Sequence, residues 1–151
     1  MAIRDKTKTN KNRFIDDRNE NVFIGLDSPI RKGVGLDGYF AGTKDTISAI
    51  KNNLVNLLRT EEGERVMHPK FGIGLRKFLF QPIDDDISLG IRQQIIDKVK
   101  RFLPMVKVKS VFVSSPEDVD TEYGIIKLTV VFSLVHDSQT NQDVTITIGD
   151  V

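Results

Sequence analysis

Tyr123-Gly124-Ile125-Ile126-Lys127-Leu128-Thr129-Val130-Val131-Phe132-Ser133-Leu134-Val135 puts Ile126, Leu128, Val130, Phe132 and Leu134 at every second position. Successive side chains of a strand point to opposite faces, so this spacing predicts a long strand with one apolar face. Its surroundings read the same way. Val106 to Val113 predicts a strand before it, and Val144 to Ile148, alternating Val, Thr, Ile, Thr, Ile, predicts a third after it. The first connection carries Glu117, Asp118, Asp120 and Glu122 and reads as an acidic, solvated loop. The second, His136 to Gln142, reads as a polar hairpin turn.

Upstream the apolar period changes. Ile47, Ile50, Leu54, Leu57 and Leu58 recur at helical spacing and predict a helix over Thr43 to Thr60. Thr43 or Asp45 is placed to cap it, and Gly63 to stop it in a left-handed conformation. Ile73 to Phe80 predicts a short helical turn built on Leu75, Phe78, Leu79 and Phe80. A second helix follows from Asp86 to Phe102, with Ile87, Ile91, Ile95, Val99 and Phe102 as its stripe and Ile96 widening it. Acids at its start and Lys98, Lys100 and Arg101 at its end suit the helix dipole, and Pro104 ends it. Two amphipathic helices on one face of a small three-stranded antiparallel sheet would bury both stripes, so the expected class is α+β. At least one edge of such a sheet is unpaired and open to strand addition by another chain.

The expected organisation has three parts. Residues 1–20 are polar, with Arg4, Lys6, Lys8, Lys11 and Arg13 ahead of Asp16, Asp17 and Glu20, and read as a flexible tail. Residues 21–42 read as an extended arm or hairpin, with Val22-Phe23-Ile24 as one short strand and Gly33 to Phe40 as its return. Residues 43–151 form the core. Gly33-Val34-Gly35-Leu36-Asp37-Gly38 matches G-x-G-x-x-G, but no buried strand precedes it and no helix opens at its end, so it is not a dinucleotide site.

Composition narrows the function. A chain of 151 residues with 39% hydrophobic and 28% charged residues fits one globular domain. A net charge of +1 argues against a nucleic-acid partner, and the absence of cysteine rules out disulfides and thiolate metal sites. No apolar run reaches the length of a membrane span and no signal-peptide core opens the chain, so no membrane partner is expected, and the protein is expected either to be made and used in the cytoplasm or to leave the cell by a route other than secretion.

Candidates for catalysis are few. His68 and His136 stand outside any metal-binding spacing, and no G-x-S-x-G or P-loop is present. Glu61, Glu62 or Glu64 could pair with one of Asp84, Asp85 and Asp86 for acid-base cleavage of a glycoside. With no tryptophan and two tyrosines, there is little to stack on sugar rings. Acid-rich turns and helix ends explain these residues better. Gly63-Glu64-Arg65-Val66-Met67-His68-Pro69-Lys70-Phe71-Gly72 instead combines a planar arginine fork, a stiff proline and an aromatic beside a glycine. That is the make-up of an interface anchor.

Leu57-Leu58-Arg59-Thr60, Gly63-Glu64-Arg65, Pro69-x-Phe71-Gly72, Leu75 and Leu79-Phe80-x-Pro82, in that order, resemble the small baseplate wedge protein of contractile-tailed bacteriophages. This sheath-initiator family also occurs in related contractile injection systems. The resemblance takes in Gly38-Tyr39-Phe40, the helix ending at Pro104 and the closing β-rich region, roughly residues 22 to 148. It implies structural work in the tail baseplate of a virion assembled in the host cytoplasm, as a monomer that enters the assembly in several copies. The implied partners are the large wedge subunits with their helical core bundle, the tail sheath protein and tail tube or hub proteins; no cofactor is implied. By position Glu64, Arg65 and Pro69 would contact the bundle, with Phe71 and Gly72 supporting them. Val144, Ile146 and Ile148 would lie in the strand that engages the first sheath ring and initiates the sheath. The family is often labelled lysozyme-like, which makes a tail-associated peptidoglycan-cleaving enzyme the alternative.

Overall fold

The alternating stretch forms the central strand of a three-stranded sheet in the computed structural model, which describes residues 23–34, 38–79, 81, 84–114, 125–135 and 141–149. β3 (Val106–Ser114), β4 (Ile126–Leu134) and β5 (Asn141–Ile148) pair antiparallel in sequence order, so β4 has a neighbour on each side. Among the described residues the outer edges of β3 and β5 carry no strand. The expectations for residues 1–20, for Glu117 to Glu122, for the turn after His136, for Phe80 and for Pro82 lie outside the described residues.

One feature of β3 was hidden in its sequence. Val106 pairs with Leu134 and Val108 with Phe132, but Ser110 pairs with Val131, so Lys109 is an extra residue on the β3 side. A one-residue insertion exchanges the two faces of a strand. Val106 and Val108 therefore face the core before the bulge, and Val111 and Val113 after it. Phe112, 56% exposed, is left on the opposite face.

The helices cover one face of this sheet. α1 (Thr46–Arg59) lies against β5, and α2 (Asp85–Phe102) against β3. Asp45 caps α1, its carboxylate accepting from the Ser48 amide at 3.0 Å. Thr43 belongs to a strand instead. α1 ends at Thr60 in extended conformation, and Gly63, at φ +88°, turns the loop beyond rather than the helix. Ala49, Ile50, Leu54, Leu57 and Leu58 are its buried stripe. In α2 the stripe is Ile91, Ile95 and Val99, one residue per turn, with Ile87 and Phe102 half-buried. Ile96 does not widen it. The next position round the helix carries it past the seam, and it is 40% exposed.

The arm is a hairpin, with its strands shifted from the expected positions. β1 (Gly25–Leu26) pairs with β2 (Gly42–Thr43), and a single bridge joins Lys32 to Phe40. Asn52 of α1 donates to the Leu26 carbonyl and so ties the arm to the core. The Arg31 guanidinium beside Asp27 holds that carboxyl below its ordinary range.

Candidate functional site

The segment between α1 and the short 3-10 turn at Leu75–Phe78 is fixed from several directions. At its base, Thr60 Oγ1 donates to the Asn56 carbonyl at 2.6 Å, while the Thr60 carbonyl accepts from the Ile73 amide at 3.1 Å. Higher up, the Gly63 amide donates to the Pro69 carbonyl at 2.8 Å, and the amides of His68 and Phe71 close turns onto Arg65 and His68. Glu64 bends back so that its carboxylate accepts from the Glu61 amide at 2.9 Å. Gly72, at φ +95°, passes so close to Thr60 that a Cβ there would sit 2.3 Å from the Thr60 carbonyl oxygen. Only glycine combines that backbone with that approach.

Side chains brace this loop on both helices. The Arg65 guanidinium lies over the Phe71 ring, 3.9 Å from its centre, and donates to Asn56 Oδ1 at 3.1 Å. Phe71 in turn meets Phe102 edge-on with ring centres 5.2 Å apart. From α2, Gln94 donates to the Ile73 carbonyl and Lys98 Nζ to the Lys70 carbonyl, both at 2.8 Å. Lys98 also pairs with Glu62 and holds that carboxyl below its ordinary range. A depressed pKa contributes stability above the ordinary carboxylate value, which is lost as pH falls through the folded-state value. Lys98→Met should therefore lower stability by about 1 kcal/mol near neutrality. Glu62 is half-exposed, so Glu62→Gln should cost less than about 1 kcal/mol and match the parent in acid. Urea unfolding across a pH series would read both.

The bracing leaves a tip. Val66 and Met67 are 92% and 85% exposed, next to exposed His68 and Pro69. Glu64, Arg65, Pro69, Phe71 and Gly72, singled out in the sequence, all lie in this loop; Glu64, Arg65, Phe71 and Gly72 make contacts that shape it, and Glu64, Arg65 and Pro69 are exposed as well. Val66 and Met67, exposed beside Pro69, were not singled out. An adjacent apolar pair inside an otherwise polar loop was the available signal.

The second expected site is β5. Val144, Ile146 and Ile148 are buried against the helices, so their side chains are already committed to the core. Thr145 and Thr147 alternate with them on the exposed face. An open groove of about 560 Å³ runs beside this strand, between Thr145, Thr147 and Ile148 on one side and Arg59, Glu61 and Arg76 on the other. Glu61 and Arg76 flank the loop, so the groove joins the loop base to the sheet edge.

The carboxylates proposed for glycoside cleavage are otherwise engaged. Glu61 accepts from the Arg76 amide at 3.3 Å, Glu62 holds Lys98, and Glu64 holds the Glu61 amide. Asp84, Asp85 and Asp86 are exposed at the start of α2, where negative charge suits the helix dipole. A general acid needs its pKa raised, and that of Glu62 is lowered. Among the described residues no cluster of His, Asp and Glu could hold a metal, and no helix is long and apolar enough to cross a membrane.

A family model described as baseplate wedge protein gp25 matches residues 44–139, which include α1, the loop, α2, β3 and β4. Three solved structures share the fold. A protein of the anti-feeding prophage baseplate aligns at a TM-score of 0.61 and 24% identity, over 76% of this chain and 86% of its own. A Geobacter sulfurreducens protein, described provisionally as a tail lysozyme, gives 0.58 and 21%, over 70% and 91%. A chain of the type VI secretion system baseplate complex gives 0.50 and 13%, over 67% and 90%. No curated protein matches the chain.

Proposed function

The chain belongs to the baseplate wedge protein gp25 family, and on that premise we propose that it is a non-enzymatic wedge component that docks through its braced loop and starts sheath assembly from β5. The observation that carries the proposal is the loop itself. Asn56, Lys98 and Phe102 hold Arg65, Lys70 and Phe71, and Gln94 holds Ile73 at the loop's end, yet Val66 and Met67 at the tip are almost fully exposed. An apolar pair fixed in space and left in water is what a hydrophobic recess on a partner would receive. The helical core bundle of the large wedge subunits is the partner that the family resemblance implies. Glu64, Arg65 and Phe71 set the loop's shape, and Pro69 stands beside the tip. For β5 the support is its outer edge, which carries no strand among the described residues and through which backbone pairing with a sheath strand requires no change in the buried Val144, Ile146 and Ile148.

The test is light scattering on the purified chain, alone and co-expressed with the large wedge subunits and a contractile-sheath protein. The parent should be a monomer alone and enter a complex of defined mass. Val66→Asp with Met67→Asp should leave stability unchanged, because neither side chain is packed, and should abolish entry. Arg65→Ala should cost about 1 kcal/mol of stability through its lost ring and amide contacts, remain folded, and also fail to enter. Normal incorporation of both variants would refute the loop as the anchor. The enzymatic alternative requires a fall in cell-wall turbidity on adding the purified chain; none is expected.

A further inference from the structure

We infer that the groove beside β5 selects an extended segment of another protein that carries an acidic side chain, gripped by Arg59 and Arg76. This rests on the proposal that β5 accepts a strand, and adds the chemistry by which the strand is chosen. The groove runs along the open edge, with Thr145 and Thr147 from the exposed face of β5 and Ile148 from its core face. A peptide lying there would pair with backbone groups of the edge that no described strand pairs, and one side of it would face the ends of α1 and of the loop.

That wall is cationic. Arg59 and Arg76 both line it, and among the described residues no carboxylate pairs with either guanidinium. The one acid of the wall, Glu61, already accepts from the Arg76 amide. Lys127 stands opposite Thr147 on β4 and shares its exposed face, on the other side of the sheet from the two arginines. Asp143 sits on the same face further back along β5. Among the described residues the groove wall thus carries two arginines against one glutamate, and a carboxylate arriving there would meet two arginine forks. A lysine would be repelled, and a neutral strand would gain backbone pairing alone.

The probes are three fluorescently labelled ten-residue peptides of alternating valine and threonine, identical except for glutamate, glutamine or lysine at two positions near one end. Anisotropy with the full chain should give the glutamate peptide at least about ten times the affinity of the lysine peptide, with the gap narrowing in high salt. In R59Q R76Q the glutamate peptide should fall to the affinity of the glutamine peptide. Amide shifts of the labelled chain should locate all binding at Thr145, Thr147 and Ile148. Equal affinity for the three peptides, or an acid preference surviving R59Q R76Q, would overturn the arginine grip while leaving strand addition standing. No binding by any peptide would remove strand addition at this edge and the inference with it. A dimer of the chain that dissociates in R59Q R76Q would assign the groove to a second copy and overturn the proposal.

Discussion

Gly72→Ala should lower the free energy of unfolding by about 3–5 kcal/mol, enough to leave a small domain barely folded. Two costs add. An L-residue at φ +95° is strained by about 1–3 kcal/mol, and the new methyl would meet the Thr60 carbonyl at 2.3 Å and its carbon at 2.8 Å. Neither neighbour can move aside, since Thr60 caps α1 and its carbonyl holds Ile73. Gly63 is the control. Its φ is +88° but a Cβ there would meet nothing within 4 Å, so Gly63→Ala should show the conformational cost alone, about 1 kcal/mol. Urea unfolding of the two variants separates the contributions. Equal losses would mean that the close approach at Gly72 has no energetic weight.

Phe132→Ala should cost about 3–5 kcal/mol, because it opens a cavity in the most confined part of the core. Phe132 is 1% exposed on the central strand, paired on one side with Val108 and on the other with Gln142. Strands on both flanks and helices above prevent the site from collapsing. Phe112→Ala, on the open face of β3, should change stability by no more than about 0.5 kcal/mol. Thermal or urea unfolding of the pair would test whether the core lies on the face assigned to it. Similar losses for both would contradict that assignment.

The regular elements were legible because each carries one clean period. α1, α2, β4 and β5 appear where their apolar spacing put them, within a few residues. β3 was legible as a strand but not in phase, since Lys109 looks like any alternating lysine until its partner strand shows the slip. The arm strands were misplaced for a different reason. Two-residue pairings around glycines leave almost no periodic trace, and the actual ladder joins Gly25 to Thr43 and Leu26 to Gly42. In the loop Glu64, Arg65, Pro69, Phe71 and Gly72 were picked out by residue type, but the contacts several of them make within the protein were not visible. Whether an arginine faces a partner or its own phenylalanine depends on where α1 and α2 place Asn56 and Phe102, which is tertiary information. The groove was illegible for the same reason, as Arg59, Arg76 and Thr147 are brought together only by packing α1 against β5.

The bracing of the loop bears on how it meets another surface. A flexible segment must give up backbone freedom as it docks, about 1–2 kcal/mol for each residue fixed, and that loss is subtracted from the contacts it makes. Here the chain has already surrendered that freedom during its own folding, through Lys98, Gln94, Arg65 and Gly72. On the docking proposed above, the same few apolar atoms at the tip would bind more tightly than on a loose loop, and one geometry of approach would be favoured over its neighbours. A braced loop also presents its tip at one angle in every copy of the chain, which a loose segment would not do.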